Sequence, residues 1–119
     1  QYKMELDGGY PACRVKGDRG NAPIKSQVTI ADGSWYRVLC RRVVVATGDQ
    51  LFIEVTPIDL EGNLGIATRT TSRIVKIGKL SFAVSTRASI GGKLDRNGLI
   101  VGASDQFNGL IDNPVIDIG

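Results

Sequence analysis

The chain has 119 residues, enough for one domain with a single core, and 42% of them are hydrophobic and 23% charged, which is usual for a folded globular protein. Its net charge of +3, with one Trp, three Tyr and three Phe, gives no dense basic stripe with interleaved aromatics and so argues against nucleic-acid binding. The absence of histidine excludes Ser-His-Asp and Cys-His catalysis, and no apolar run approaches the roughly 20 residues of a membrane-spanning helix.

Alternation of apolar and polar residues predicts strands throughout the first half of the chain. The predicted strands cover residues 2–6, 12–16, 24–30, 35–46 and 51–56. Glycine-containing turns are predicted at 7–9 and 47–50. The pair Asp32-Gly33 stands between two alternating runs, which predicts a hairpin that joins the third strand to the fourth. Pro57 is expected to end the fifth strand because proline cannot donate a ladder bond.

The second half predicts further short strands at 64–70, 72–80, 87–90 and 107–118. Pro114 lies inside the last of these and is expected at a bulge or an edge. No segment shows the period of an amphipathic helix. Short strands separated by turn residues predict an all-β fold, an antiparallel β-sandwich formed by one domain over residues 1–119.

Two parts of the predicted core are specific enough to check. Trp35, at the start of a predicted strand, is expected to be buried, and so is the run Val43–Val45, which is apolar on both faces. The final strand is also interpreted as core; its apolar residues are Phe107, Leu110, Ile111, Val115 and Ile116.

The chain has two cysteines, Cys13 and Cys40. Their spacing is not that of a C-x-x-C redox motif, and two cysteines without histidine do not form a typical zinc site. They form either a disulfide between two strands or a pair of buried thiols. We favour the disulfide, which implies an oxidising compartment and a secreted or cell-surface protein.

Basic residues form two groups in the sequence. The first contains Arg37, Arg41 and Arg42, and the second contains Arg69, Arg73, Lys76 and Lys79. They are either the solvated faces of strands or a weak patch for anionic glycans.

Several segments resemble one family. Residues 13–17 followed by 32–42 resemble laminin-G-like domains, especially bacterial ones, and 51–55 resembles the next strand of that family. The most specific resemblance is the closing pattern, Ile-Gly-Gly-Lys at 90–93 followed by 105–116. The chain departs from the pattern at Tyr36, where the family usually has histidine, and in the region 57–86, which matches poorly.

The resemblance implies a concanavalin-A-like jelly roll that lacks its first strands, because family domains usually have several strands before the position of Tyr2. Three explanations remain open. The missing strands belong to another chain or fragment, the segment 57–86 closes a reduced sandwich, or copies of the chain complete one another.

The resemblance also implies a candidate cofactor, calcium. Many relatives bind calcium at the rim of the sandwich through oxygen ligands, and we expect Asp105 first, then Asp95, with Asp49 and Asp59 as outside candidates. The alternative is that these residues only form turns. Independently of the resemblance, Tyr10 and Tyr36 are candidate sugar contacts, and Arg73 and Lys76 of the second basic group are the other candidate ligand-binding residues.

Two functions therefore compete. The first is an extracellular non-catalytic binding or adhesion module that recognises a glycan or a protein surface, with calcium as its expected cofactor. The second is a structural or assembly subunit whose incomplete sandwich is completed by strands of another chain or fragment. An enzyme is not expected, because no closely spaced acidic residues mark a catalytic carboxylate pair.

Overall fold

The computed structural model describes residues 1–95, 97–102 and 106–117. The chain divides into two compact units, Gln1–Phe82 and Ala83–Gly119. In the part of the chain that the structure describes, all the strands belong to the first unit. They are β1 (Tyr2–Asp7), β2 (Tyr10–Lys16), β3 (Asn21–Lys25), β4 (Trp35–Val45), β5 (Gly48–Ile58) and β6 (Thr68–Thr71).

The six strands form two antiparallel sheets of three strands each. Sheet 1 has the order β1-β2-β3 and sheet 2 has the order β4-β5-β6. In sheet 1, Cys13 of β2 lies between Met4 and Ile24, and in sheet 2, Cys40 of β4 lies opposite Ile53. The predicted all-β antiparallel sandwich is confirmed, whereas the jelly-roll topology stays a prediction.

The core lies between the inner faces of the two sheets. Its buried residues are Cys13, Val15, Ala22, Ile24, Leu51, Ile53 and Ile77. The alternation in the sequence decides which residues enter it: along β5, Leu51, Ile53 and Val55 are almost fully buried, while Phe52 and Glu54 between them are only partly buried.

A disulfide between Cys13 and Cys40 confirms the favoured prediction for the two cysteines. It joins β2 of sheet 1 to β4 of sheet 2, and the two Cα atoms are 6.3 Å apart, which is within the usual range for a disulfide. The cross-link therefore fixes one sheet to the other through the core.

The predicted hairpin between the third and fourth strands is wrong. Gly33 has the positive φ of a turn, 79°, but β3 ends at Lys25 and the segment 26–34 crosses from sheet 1 to sheet 2. The Ser26 hydroxyl accepts a hydrogen bond from the Val28 amide, and Ile30 donates its amide proton to the Gly9 carbonyl. These bonds turn the chain away from a direct return beside β3.

Pro57 does not end the fifth strand, because β5 continues to Ile58 and Pro57 lies opposite Tyr36 of β4. The amide nitrogen of Pro57 faces the side of β6, but β6 pairs only with Phe52 to Val55. The proline therefore removes no ladder bond, and its carbonyl accepts the amide of Gly65.

The predicted strand at 72–80 is also wrong. The segment touches sheet 2 through a single bridge, in which Asp49 and Val75 exchange both main-chain hydrogen bonds at 2.8 Å. Gly78 then interrupts the extended backbone with a φ of 76°. The segment instead covers one end of the core with Ile77, which is fully buried.

The second unit contains no strand in the residues that the structure describes. One isolated bridge joins Leu94 to Ile100, and the strands predicted at 87–90 and 107–117 do not form. Asn113 has a φ of 47°, which breaks the extended backbone beside Pro114. The interpretation of the final segment as core is wrong, since its apolar side chains are exposed. Ile118 lies outside the described residues.

Two core predictions for β4 are wrong as well. The period that directs Val38 and Cys40 inward directs Trp35 to the outer face, where it is 46% exposed. Val44 is on the inner side but lies at the end of the outermost strand of sheet 2, and it is 76% exposed.

Candidate functional site

The outer face of sheet 2 carries the basic residues of two distant parts of the sequence. Since Val38 and Cys40 point into the core, Arg37 and Arg41 of β4 point to the opposite side. Arg41 lies directly opposite Phe52 of β5, and Arg69 of β6 lies opposite Glu54. The sheet therefore brings Arg37, Arg41 and Arg69 to one surface.

Arg69 is held in place by two neighbours on this surface. Its guanidinium carbon lies 4.4 Å from the centroid of the Phe52 ring, which is the geometry of a cation–π contact. Its Nε donates a hydrogen bond to Glu54 Oε2 over 2.7 Å, and its Nη2 pairs with the same oxygen. The negative charge of Glu54 is thereby neutralised by Arg69.

Arg37 and Arg41 are exposed, and neither has an ion-pair partner within the described part of the chain. They are four residues apart on one strand, which places them roughly 13 Å from each other along β4. Guanidinium groups form paired, charge-assisted hydrogen bonds with planar anions such as carboxylates and sulfates. The surface is suited to an extended anion that carries several charges. We call this surface, Arg37, Arg41, Phe52 and Arg69, the cationic face.

Tyr10 and Tyr36, the predicted sugar contacts, belong to different sheets. Tyr10 begins β2 and is 37% exposed, with the Lys25 ammonium 5.3 Å from its ring centroid. The Tyr36 hydroxyl donates a hydrogen bond to Asp32 Oδ2 over 2.6 Å. This bond raises the pKa of Tyr36 and lowers the pKa of Asp32, so the hydroxyl is already committed to a local partner.

Arg73 and Lys76 follow β6 in the segment 72–80. Both are exposed and neither is part of a strand. They belong to the segment that follows β6, and neither forms an ion pair among the described residues.

Asp49, one of the candidate calcium ligands, is 5% exposed and already paired. Its Oδ1 accepts a hydrogen bond from Arg42 Nε over 2.8 Å and pairs with Arg42 Nη2 over 2.7 Å, and its Oδ2 accepts the Ile77 amide over 2.8 Å. Burial acts to raise the pKa of Asp49, but the Ile77 amide and the Arg42 guanidinium outweigh it and hold the pKa below its usual value. Because the Arg42 guanidinium and the Ile77 amide already bind its two carboxylate oxygens, Asp49 does not fit a calcium ligand.

The other acidic candidates form turns where the structure describes them. Asp95 Oδ1 accepts the amides of Asn97 and Leu99, over 2.8 and 2.9 Å. Asp59 Oδ1 likewise accepts hydrogen bonds from the amides of Glu61 and Asn63 in its loop. The bond from the Asn63 amide is the main cause that lowers the pKa of Asp59. Asp105 lies outside the described residues.

Residues 1–95, 97–102 and 106–117 contain no group of three or more acidic or cysteine side chains that could hold a metal ion. Calcium binding by this chain stays a prediction.

No protein-family model, no curated protein and no solved structure gives a significant match to this chain. The resemblance to laminin-G-like domains therefore stays a prediction. In the described residues there is also no helix with the length and apolar character needed to cross a membrane. The disulfide is compatible with an extracellular protein.

Sequence reasoning identified the arginines of the cationic face but did not bring them together. Arg37 and Arg41 are spaced by an even number, so their common face was available from the strand period. The contribution of Arg69 was not available, because it depends on the register between β5 and β6. No pattern in the sequence indicated that Phe52 belongs to this surface.

Proposed function

We propose that this chain is a non-catalytic binding module of the extracellular type, and that its cationic face recognises an anionic glycan. The observation that carries the proposal is the pair Arg37 and Arg41, which are exposed on the same face as the Arg69–Phe52 contact and form no ion pair among the described residues. The acidic residue of this face, Glu54, is already paired with Arg69. A charged group without an ion-pair partner can bind a ligand without first breaking an existing ion pair.

The shape of the surface supports a polymer over a small anion. The guanidinium groups are spread along and across the strands of sheet 2 and do not converge on one point. Such a surface gains affinity when it contacts several successive charges of one polymer. Once the first charge is bound, the next is held nearby at a high effective concentration. The ring of Phe52 adds a half-buried apolar surface among the charges.

The disulfide supports a glycan over a nucleic acid as the anionic ligand. Cys13–Cys40 is compatible with an oxidising compartment, where nucleic acids are uncommon and acidic or sulfated polysaccharides are abundant.

Calorimetry with heparin as the probe and neutral dextran of similar length as the reference tests the proposal. We expect heparin to bind, longer fragments to bind more tightly than short ones, and affinity to fall with salt. The double variant Arg37→Ala/Arg41→Ala should weaken binding by about tenfold or more, since a hydrogen bond to a charged group contributes about 1.5–3 kcal/mol.

The matched control is Arg14→Ala/Lys16→Ala, which removes two exposed positive charges from β2 of sheet 1 and should leave the affinity within about twofold of wild type after the same change in net charge. Equal weakening by this control would show that only net charge matters and would reject the cationic face. Repeating the titration with a chelator tests whether calcium contributes.

A further inference from the structure

The inner face of sheet 1 is covered unevenly. Cys13 of β2 and Ile24 of β3 are 3% and 8% exposed, as expected for residues that face the other sheet. The corresponding residues of β1 are Tyr2, Met4 and Leu6, which lie opposite Val15, Cys13 and Pro11; they are 39%, 43% and 37% exposed. Among residues 1–95, 97–102 and 106–117, therefore, no layer covers the inner face of β1.

The reason is the offset between the sheets. The strand β2 lies against β4 and β5, and β3 lies against β5 and β6. The next strand outward, β1, therefore extends past β4, which is the last strand of sheet 2. As far as the chain is described, sheet 2 has no strand at the position that would cover β1.

The edge of β4 beside this position presents main-chain hydrogen-bonding groups. Asp49 exchanges both of its main-chain bonds with Val75, so Leu51 and Ile53 also direct theirs to the side of β6. Their partners in β4, Arg42 and Cys40, therefore direct their N–H and C=O groups away from β5. By the same period, Val38 and Val44 do so as well.

One of these edge groups, the Cys40 carbonyl, already accepts a hydrogen bond. The Tyr2 hydroxyl donates a hydrogen bond to the Cys40 carbonyl over 3.3 Å, which shows that the uncovered face of β1 adjoins the open edge of β4. The remaining edge groups of Val38, Arg42 and Val44 make no main-chain hydrogen bond with any described residue. We call the inner face of β1 together with the open edge of β4 the β1–β4 notch.

We propose that the β1–β4 notch binds a β-strand of a partner polypeptide, which adds to sheet 2 beside β4 and covers β1. Strand addition uses the edge hydrogen bonds for affinity and alternate side chains for specificity. This function goes beyond glycan recognition. Its main-chain and apolar contacts lie outside the cationic face, and it shares with that face only Arg37 and Arg41, which lie beside the partner's outward side chains.

The two sides of the notch define the chemistry of the partner strand. Its inward side chains face Tyr2, Met4 and Leu6 and are therefore apolar. Its outward side chains lie beside Arg37 and Arg41, and directly neighbouring strand positions favour opposite charge. The partner is therefore an extended segment that alternates apolar with acidic residues.

A second copy of this chain does not fit the same position. Antiparallel pairing of two β4 edges around a twofold axis would place both copies of β1 above the junction, where they would occupy the same space. The overhang of β1 thus protects the edge from pairing with itself, as natural sheets commonly do by covering or charging their edges.

The test uses a synthetic peptide of about ten residues that alternates valine with glutamate, and a scrambled peptide of the same composition. We expect the alternating peptide to bind and to slow the hydrogen exchange of the Val38, Arg42 and Val44 amides. The scrambled peptide should bind at least tenfold more weakly, because it matches the charge but not the face of the notch.

The variant Met4→Lys places a charge on the uncovered face without altering the backbone, and we expect it to weaken peptide binding by at least tenfold. Glu5→Gln is its control, since it changes the net charge by the same amount on the opposite face of β1. Equal binding by Met4→Lys, equal binding of the scrambled peptide, or no peptide binding would each overturn the proposal.

Two further measurements distinguish a partner strand from a second copy of the chain, and the notch from the cationic face. A concentration-dependent dimer of the protein alone that Met4→Lys abolishes would assign the notch to a second copy and overturn the partner strand. Heparin binding by Met4→Lys should equal that of wild type. A failure of the notch is therefore distinguishable from a failure of the cationic face.

Discussion

The Tyr2 hydroxyl and the Cys40 carbonyl oxygen, 3.3 Å apart, join the edge strand of sheet 1 to the edge strand of sheet 2. The bond lies next to the Cys13–Cys40 disulfide, so one residue of β4 is tied to sheet 1 through both its side chain and its main chain. Partial burial raises the pKa of Tyr2, which keeps the hydroxyl protonated and able to donate.

Replacement of Tyr2 by phenylalanine should lower the free energy of unfolding by about 1 kcal/mol or less, since one hydrogen bond at a partly exposed site is lost. Urea denaturation followed by Trp35 fluorescence measures it. Tyr10→Phe is the matched control, because the Tyr10 hydroxyl has no hydrogen bond to the described residues and its ring contact with Lys25 persists. Equal losses in both variants would contradict the assignment.

Gly78 of the segment 72–80 packs closely against Asp18 and Arg19 of the loop that precedes β3. An added Cβ at Gly78 would overlap Asp18 Oδ1 and come within 2.8 Å of Arg19 Cγ. Asp18 Oδ1 accepts the Lys79 amide, and the Arg19 amide donates to the Ile77 carbonyl. This contact holds Ile77 in the core.

We therefore expect Gly78→Ala to destabilise the protein by about 3 kcal/mol, of which about 1 kcal/mol is the cost of a positive φ and the rest is overpacking. Gly33→Ala separates the two contributions, since Gly33 has nearly the same φ, 79° against 76°, but open space around it. It should cost only about 1 kcal/mol in thermal or urea unfolding. Equal costs would show that residues 17–20 do not hold the segment.

The alternation of the sequence was sufficient to predict the strands whose two faces differ. In β5, Leu51, Ile53 and Val55 alternate with Gln50, Glu54 and Thr56, and this pattern indicates the strand and its inner face although the apolar Phe52 interrupts it. The cysteine pair was predictable for the same reason, since Cys13 and Cys40 both occupy inner positions of alternating runs.

The failures arose where the structure depends on distant partners. The turn at Asp32-Gly33 forms, but the same local signal serves a hairpin and a connection between sheets. The apolar runs at 72–80 and 107–117 have strand-like composition, yet a strand also requires a neighbour with which to exchange hydrogen bonds, and local composition does not supply one.

The two candidate sites also depend on distant parts of the chain, and the sequence therefore predicts them only in part. The sequence places Arg37 and Arg41 on one face of a strand, but only the β5–β6 register adds Arg69 and Phe52 to it. The β1–β4 notch depends on the offset of two sheets, which leaves no trace in the local pattern of Tyr2 or Met4.

Removal of the disulfide should cost more than any single hydrogen bond. The bridge closes a loop between residues 27 positions apart, and a cross-link of that span contributes about 3–4 kcal/mol, mainly by restricting the unfolded chain. We expect Cys13→Ala/Cys40→Ala, and wild type under reducing conditions, to lose stability by about this amount in urea denaturation. Alkylation without reduction should add no mass, and the addition of two alkyl groups would contradict the bridge.

The ion pair of Asp49 and Arg42 anchors the hairpin of β4 and β5 to the segment 72–80, since Arg42 Nη2 also donates to the Gly78 carbonyl over 2.8 Å. Asp49→Asn leaves a half-buried guanidinium without its counter-charge, and it should lower the free energy of unfolding at pH 7 by about 2–4 kcal/mol. Asp7→Asn, which removes the carboxylate of the exposed pair with Lys25, should cost less than about 1 kcal/mol.

The contribution of Asp49 should depend on pH in a defined direction. Its pKa is lower in the folded protein than in the unfolded chain, where an aspartate has a pKa of about 3.9, so the unfolded state takes up a proton first as the pH falls. The stabilisation is therefore fully present above about pH 5 and is lost as the pH falls through the folded pKa. In urea titrations, the gap between wild type and Asp49→Asn should narrow below about pH 4, and a gap that stays constant to low pH would mean that Asp49 does not titrate as the partner of Arg42.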